Sequence, residues 1–404
     1  MRITRLFIAM AAIGFAGSAS ATNGYFAHGF GIKAKGMGGA GIGYAQDAMA
    51  AATNPAGMVF VGNRIDFGAE LFNPNREANV NGAAVYESGK EYFLIPEFGY
   101  NHMLNATTSV GVSVFGNGGM NTTYNPIPQF NVAGNKTGID MMQLFISPTV
   151  ATKLNESHSV GASLNMVYQR FKATGISNFG AVSNSAGNLS DRGYDDSTGL
   201  GIRLGWTGVL SPMVTVGATY QSKTKMSKFD KYQGLFAEQG DFDIPENYGL
   251  GVAIKATPST TVAFDLVRIN YGDVKSIANN ISTLGVNLLG TPNGPGFGWK
   301  DQNVYKLGVS HQVNDTLTVR AGYNHGSGVI PNTEIAFNIL APATVQDHLT
   351  FGATWKLQNG AELSGYFMHA FSKSITGATP QLGGGNSTIK MDQNAIGVAY
   401  GWKM

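Results

Sequence analysis

Leu317-Thr318-Val319-Arg320-Ala321-Gly322-Tyr323 puts Leu, Val, Ala and Tyr on one side of a pleated chain and Thr, Arg and Gly on the other. Side chains of a strand point alternately to opposite faces, so this period of two marks a strand with one apolar and one polar face. The same alternation runs through Ile65-Asp66-Phe67-Gly68-Ala69-Glu70-Leu71, Val214-Thr215-Val216-Gly217-Ala218-Thr219-Tyr220 and Leu349-Thr350-Phe351-Gly352-Ala353-Thr354-Trp355. Fourteen such segments follow residue 63. They fall near 64–72, 92–102, 108–117, 138–153, 158–171, 196–209, 213–223, 246–256, 260–271, 302–312, 316–326, 347–357, 361–371 and 389–402.

The connections alternate too. Asn155-Glu156-Ser157, Ser211-Pro212, Thr257-Pro258-Ser259, Asn314-Asp315 and Gln358-Asn359-Gly360 are tight. Between them lie long segments around 73–91, 118–137, 172–195, 224–245, 272–301, 327–346 and 372–388. Antiparallel hairpins with short turns at one end and long loops at the other describe an outer-membrane barrel. In lipid every backbone polar group must pair within the protein, and closure leaves no free edge. The predicted fold is therefore all-β: a fourteen-stranded antiparallel transmembrane β-barrel, residues 63–404. Tyr100, Tyr168, Trp206, Tyr220, Tyr271, Tyr323, Trp355 and Trp402, near strand ends, are expected in the interfacial girdles. A secreted sandwich fits less well. Many segments exceed the usual length of a soluble strand, and the polar face is mostly small and uncharged. No repeat of propeller period is present.

Composition narrows the function. Of 404 residues 55 are Gly, 13% are charged and none is Cys, which excludes disulfides, thiolate metal sites and cysteine nucleophiles. A net charge of +2 gives no electrostatic case for nucleic acid. Residues 1–21 read as a signal peptide. Arg2 and Arg5 precede an apolar run from Leu6 to Gly17, and Ala19-Ser20-Ala21 fits the cleavage pattern. The run is shorter than the roughly 20 residues of a membrane-spanning helix. Cleavage near Ala21 exports a chain of net charge about 0, because Arg2 and Arg5 leave.

Residues 22–62 do not alternate. Small residues dominate Gly36-Met37-Gly38-Gly39-Ala40-Gly41, and Asp47-Ala48 opens a short helix that must stop before Asn54-Pro55-Ala56-Gly57. Fourteen strands enclose more room than their own side chains fill, so this stretch is expected inside the barrel. On these motifs and the strand count the chain resembles the FadL–TodX family of outer-membrane channels for long-chain fatty acids and hydrophobic compounds. The architectural likeness covers the mature chain, and the distinctive motifs lie in residues 22–62. The resemblance implies that this stretch is an N-terminal hatch and that Asn54, Pro55 and Ala56 form its gate. It also implies a kink in the third strand that opens a lateral exit, for which Gly116, Gly118 and Gly119 are the candidates.

Two further groups of residues bear on transport. Met226, Phe229, Leu235 and Phe236 in one long loop, and Ile277, Ile281 and Leu284 in another, recur near helical spacing. Apolar side chains on water-facing loops need a ligand or a partner. They serve either as a capture surface, which the resemblance implies, or as a packed lid. If the apolar face of each strand meets lipid, then Arg64, Asp66, Glu70, Arg203, Asp265, Lys306 and Arg320 face the lumen. Of these, Lys306, Arg320 and Arg203 are candidates to hold a fatty-acid carboxylate, unless they pair with neighbouring acids instead.

The expectation is thus a passive outer-membrane channel in a Gram-negative bacterium, for fatty acids or hydrocarbons. Its partners are hydrophobic small molecules and outer-membrane lipid, with no nucleic acid, and a monomer is expected. No catalytic residue, cofactor or metal is assigned. Two other classes remain open. A porin for polar solutes would lack an interior segment and carry more charge. An outer-membrane lipid hydrolase would need Ser310-His311 or Asp347-His348, yet adjacent strand residues point apart.

Overall fold

The computed structural model describes residues 22–404, and the expected signal peptide lies outside them. Fourteen long strands form the wall: β1 (Arg64–Val80), β2 (Phe93–Met103), β3 (Thr108–Asn121), β4 (Gly138–Lys153), β5 (His158–Thr174), β6 (Asp195–Ser211) and β7 (Val214–Gln221). The second half comprises β8 (Asn247–Thr257), β9 (Thr260–Ile269), β10 (Gln302–Gln312), β11 (Leu317–Gly326), β12 (Asp347–Lys356), β13 (Glu362–Ala378) and β14 (Asn386–Lys403). Each pairs antiparallel with the next, and β14 returns to β1 from Arg64↔Lys403 to Asn79↔Thr388, closing the barrel. Two short strands, Ala84–Glu87 and Lys225–Met226, extend the sheet at the long-loop end.

The alternation resolves into an apolar outside and a polar inside. Phe67, Leu71, Ile202, Leu204, Leu250, Phe264, Leu307, Phe351, Phe367 and Ile396 are exposed, whereas all seven lumen charges named above are buried. That is the inverse of a water-soluble protein and suits a wall solvated by hydrocarbon. Tyr220, Tyr248, Tyr305, Tyr323, Trp355 and Tyr400 point outward near strand ends. Tyr271 corrects the girdle reading. It lies past the end of β9, where the pleat no longer sets direction, and is fully buried with its hydroxyl donating to the Asn23 carbonyl at 2.6 Å.

The strand ends at the long-loop side also differ from expectation. The first strand, expected to stop near 72, runs to Val80, and the thirteenth runs to Ala378 rather than 371. Beyond the lipid both faces meet polar surroundings, so the ladder continues after the hydrophobic period has ended. Asn75 on β1, for example, donates to Asp392 on β14 at 2.8 Å.

Residues 22–62 pack inside the barrel and are mostly buried. They hold a one-turn helix, α1 (Ile32–Lys35), and two 3₁₀ turns, Ala48–Ala52 and Pro55–Phe60. Asp47 caps the first turn by accepting from the Met49 amide at 3.0 Å. Asn54 caps the second from the Ala56 amide at 3.1 Å, with Pro55 in the first helical position. Asn54-Pro55 therefore ends one turn and begins the next. The charges that enter this interior are satisfied across the boundary between segment and wall. Lys35 pairs with Glu70 at 2.5 Å, Lys33 with Glu362 at 2.5 Å, and Arg64 with Asp66 and Glu362 at 2.7 and 2.8 Å. Asp265 accepts from the amides of Gly41 and Ile42, and Glu97 from those of Gly31 and Ile32. Breaking one such buried pair strands its partner, at a cost of about 3–5 kcal/mol.

Candidate functional site

Three features line up from the loops to the wall. The first is a lid. Met226, Phe229, Phe236, Ile277 and Ile281 are buried, and Leu235 and Leu284 are half-buried. The loops pack on one another rather than stand open to water. Beneath them Ile139, Phe171, Phe179, Phe236, Phe297 and Phe337 line a narrow pocket that no charged side chain enters. The apolar core of the lid runs unbroken into the interior segment. Tyr25 lies against Tyr271 at 5.4 Å, Trp299 at 6.0 Å and Phe242 at 6.2 Å between ring centres. Sequence reasoning missed Tyr25, because a lone aromatic in a small-residue stretch carries no periodic signal.

The second feature is a narrow cleft lined by Phe26, Phe30, Ile42, Val267, Ile269 and Val304 and by the cations Arg203 and Lys306. Arg203 donates to the Thr53 carbonyl at 3.2 Å and to Gln221, and its Nε has no partner. Lys306 reaches only the Gly39 carbonyl, at 3.4 Å. Among the described residues neither forms an ion pair, although both are over nine-tenths buried. Arg320 is elsewhere, donating to Gln46 at 2.8 Å and Thr354 at 2.7 Å. The structure thus brings two of the three candidate cations together and separates the third.

The third feature is an interruption of the wall. The ladder between β2 and β3 ends at Phe98↔Val114. Above it Phe93 to Glu97 pair only with β1, and Phe115 to Asn121 pair only with β4 within the wall. The register of β3 against β4 shifts between Gly116 and Gly118, with Asn117 as the extra residue of a bulge. There the edge of β3 turns to the interior segment instead of to β2. Ala27 donates to the Asn117 carbonyl at 2.9 Å, and Gly119 donates to the Tyr25 carbonyl at 3.0 Å. Gly118 is required at this approach, since a Cβ there would sit on the Tyr25 carbonyl. The chain closes again where Gly89 donates to Thr123 at 2.9 Å. The unpaired edge of β2, five residues at about 3.3 Å each, leaves a gap roughly 16 Å tall.

Asn54, Pro55 and Ala56, the expected gate, lie against β5 and β6, a few strands from the gap. The Asn54 amide nitrogen donates to the carbonyls of Ile42 (2.8 Å) and Trp206 (3.0 Å) and to the Thr207 hydroxyl (3.2 Å). The residues considered for hydrolysis do not converge: Ser310 is buried in the lumen while His311 is exposed outside, where it meets Thr260.

The lid also carries a titrating acid. Burial, then the neighbouring Asp243 charge, pushes the Asp241 carboxyl up to about 7. The folded lid therefore binds this proton more tightly than an unfolded chain, whose Asp titrates near 3.9. The penalty of the charged form is fully present above pH 7 and is relieved as pH falls from 7 toward 4. Limited proteolysis of loop 224–245 should be faster at pH 8.5 than at pH 6, relative to an unfolded control. Asp241→Asn should erase the difference, and a difference that survives the substitution would place its origin elsewhere.

A family model described as outer membrane protein transport protein (OMPP1/FadL/TodX) matches residues 15–404. No curated protein matches the sequence. Among solved structures the chain is similar to the Pseudomonas putida toluene transporter TodX, at 20% identity over 93% of this chain and 99% of that one, with a TM-score of 0.72. It is similar to a Pseudomonas aeruginosa FadL homologue at 15% identity, covering 94% and 99%, with a TM-score of 0.74. The Ralstonia pickettii toluene transporter TbuX matches at 17% identity, covering 93% and 99%, with a TM-score of 0.63. At these identities the structural likeness speaks for the fold.

Proposed function

The chain belongs to the outer membrane protein transport family of OMPP1, FadL and TodX, and from that premise we propose that it is a passive channel for fatty acids or hydrocarbons with a gated lateral exit. It is an outer-membrane barrel of a Gram-negative bacterium. The observation that carries the exit is the gap between β2 and β3, held against the interior segment by two backbone hydrogen bonds.

An apolar solute partitions from water into the aromatic cavity under the lid, where Leu235 and Phe236 on one loop form part of the wall. Residues 22–62 act as the hatch. Movement of Tyr25 couples the lid to the gap, because the residue packs on lid aromatics and bonds to β3. The solute then leaves between β2 and β3 into the hydrocarbon, so it never re-enters water. Gly116, Gly118 and Gly119 let β3 bend, and Asn54-Pro55-Ala56 anchors the moving segment to the wall. The unpaired Arg203 and Lys306 would accept a carboxylate head. A polar-solute porin fits less well, because the hatch fills the barrel and most interior charges already have partners.

The test is uptake of a labelled long-chain fatty acid and a labelled aromatic hydrocarbon by cells lacking their own channel. The intact protein should raise uptake of at least one. Deletion of Asn54, Pro55 and Ala56 should abolish it while the barrel still migrates as a folded species on unheated gels. Asn54→Ala, which removes a cap worth about 1 kcal/mol together with two contacts to the wall and one within the hatch, should loosen the hatch and raise ion conductance in planar bilayers. Large conductance from the intact protein with no hydrophobic uptake would overturn the proposal in favour of a porin.

A further inference from the structure

The upper rim of the wall gap carries a buried arginine that the channel reading has not used. Arg76 lies on β1, 4% exposed, and lines a small pocket with Phe72, Gly119, Met120, Ala343 and Met391. Its guanidinium donates to the carbonyl of Asn121 at 2.9 Å, to the Ser88 hydroxyl at 3.1 Å and to the Lys90 carbonyl. A guanidinium has five N–H donors, so these three bonds leave two, one of them the buried Nε, which has no partner. Among the described residues no carboxylate forms an ion pair with it. Asp140, the acid on the adjoining β4, is taken by Lys90 at 3.1 Å and by the Tyr194 hydroxyl at 2.9 Å.

A buried guanidinium with spare donors and neutral hydrogen-bond partners, with which the neighbouring acids Glu91 and Asp140 form no ion pair, is suited to a bound anion. Its position selects the anion. Asn121, its acceptor, ends the unpaired stretch of β3, and Phe72 pairs with Phe93 at the top of the unpaired stretch of β2. A molecule whose tail passes through the gap presents its head here. We infer that Arg76 is an anion-binding site at the lateral exit, and that it takes the carboxylate head of a hydrophobic monocarboxylate whose tail lies between β2 and β3. The inference rests on the reading of the gap as an exit. It extends that reading by adding a head-group site separate from the cavity of Arg203 and Lys306.

The experiment compares labelled dodecanoate with labelled 1-dodecanol, which share a chain and differ in charge, in cells expressing the intact protein, Arg76→Gln or Arg76→Lys. Each variant is first checked for a folded barrel by gel migration before and after heating. Arg76→Gln should lower dodecanoate uptake about tenfold, the loss of one charge-assisted contact, leave dodecanol unchanged, and be partly rescued by Arg76→Lys. An equal fall for both compounds would make Arg76 a fastener of the rim alone, and no fall for either would remove the site. The phosphate of a lipid is the other source of an anion. Dodecanoate binding is therefore repeated with purified protein in alkyl-maltoside micelles, which contain neither phospholipid nor lipopolysaccharide and so no phosphate. An Arg76→Gln effect that persists there supports the carboxylate, and one seen only with lipopolysaccharide overturns it. Failure of the intact protein to take up either compound would strike at the channel reading itself, whereas uptake without discrimination strikes only at Arg76.

Discussion

Deletion of Asn117 is expected to reduce uptake of hydrophobic substrates to the level of cells carrying no channel, with the barrel still folded. Asn117 is the one residue of β3 without a counterpart on β4, since Gly116 faces Leu144 and Gly118 faces Gln143. Removing it lets the β3–β4 register run straight. The edge of β3 is then aimed at β2, where Phe93 to Glu97 wait without a partner on that side. Each backbone hydrogen bond contributes about 0.5–1.5 kcal/mol net. Straightening forfeits the two bonds to Tyr25 and Ala27 and the side-chain bond from Asn117 to Gln143 at 2.9 Å. Ladder bonds along five further residues outweigh that loss, and in lipid an open edge is costlier still. The wall should therefore close. Uptake and heat-modifiable gel migration measured on the same cells decide the matter. A folded deletion variant that still transports at the intact rate would mean that the gap is not the route.

This bulge also marks how far the sequence could be read. The pleat makes parity reliable wherever one face meets lipid, and Arg64, Asp66, Glu70, Arg203, Asp265, Lys306 and Arg320, which share the inward parity, are all buried. Parity fails where lipid ends. Asn73-Pro74-Asn75-Arg76-Glu77 is polar on both faces, so the continuation of β1 was invisible, and Arg76 with it. Tyr271 departs from the girdle for the same reason, two residues beyond Ile269, the last position where a strand fixes direction. Glycines at 116, 118 and 119 signal an irregular strand, but an absent partner leaves no mark in the sequence. The gap follows from the relative registers of β2 and β3, a long-range property. The loop residues were legible as apolar. Whether they open to water or pack into a lid depends on neighbours some fifty residues away, as Ser183 and Gly234 illustrate with a 2.7 Å bond between two long loops.

Replacing both Arg203 and Lys306 by Met is expected to separate the substrates. Uptake of a long-chain fatty acid should fall on the order of tenfold to a hundredfold, while uptake of a neutral aromatic hydrocarbon stays near that of the intact protein. The magnitude follows from a charge-assisted hydrogen bond of about 1.5–3 kcal/mol at tenfold per 1.4 kcal/mol. The cleft they line is otherwise mostly apolar, so Met keeps a side chain of similar length there and removes the charge, together with the Arg203 bonds to Thr53 and Gln221. Stability provides the internal control. Neither cation forms an ion pair with a described residue, although Asp265 stands opposite Lys306 on the neighbouring strand, and a buried charge without a close counter-ion is a cost that the fold bears for some other reason. Neutral replacements of similar size should leave the denaturant midpoint unchanged or raise it. The opposite pattern, with both substrates falling together and the midpoint dropping, would mean that Arg203 holds Thr53 and Gln221 in place and nothing more. A third pattern, unchanged fatty-acid uptake in a barrel of unchanged stability, would point to neutral hydrocarbons as the cargo. The cavity would then be serving them through Phe26, Phe30 and Val304 alone.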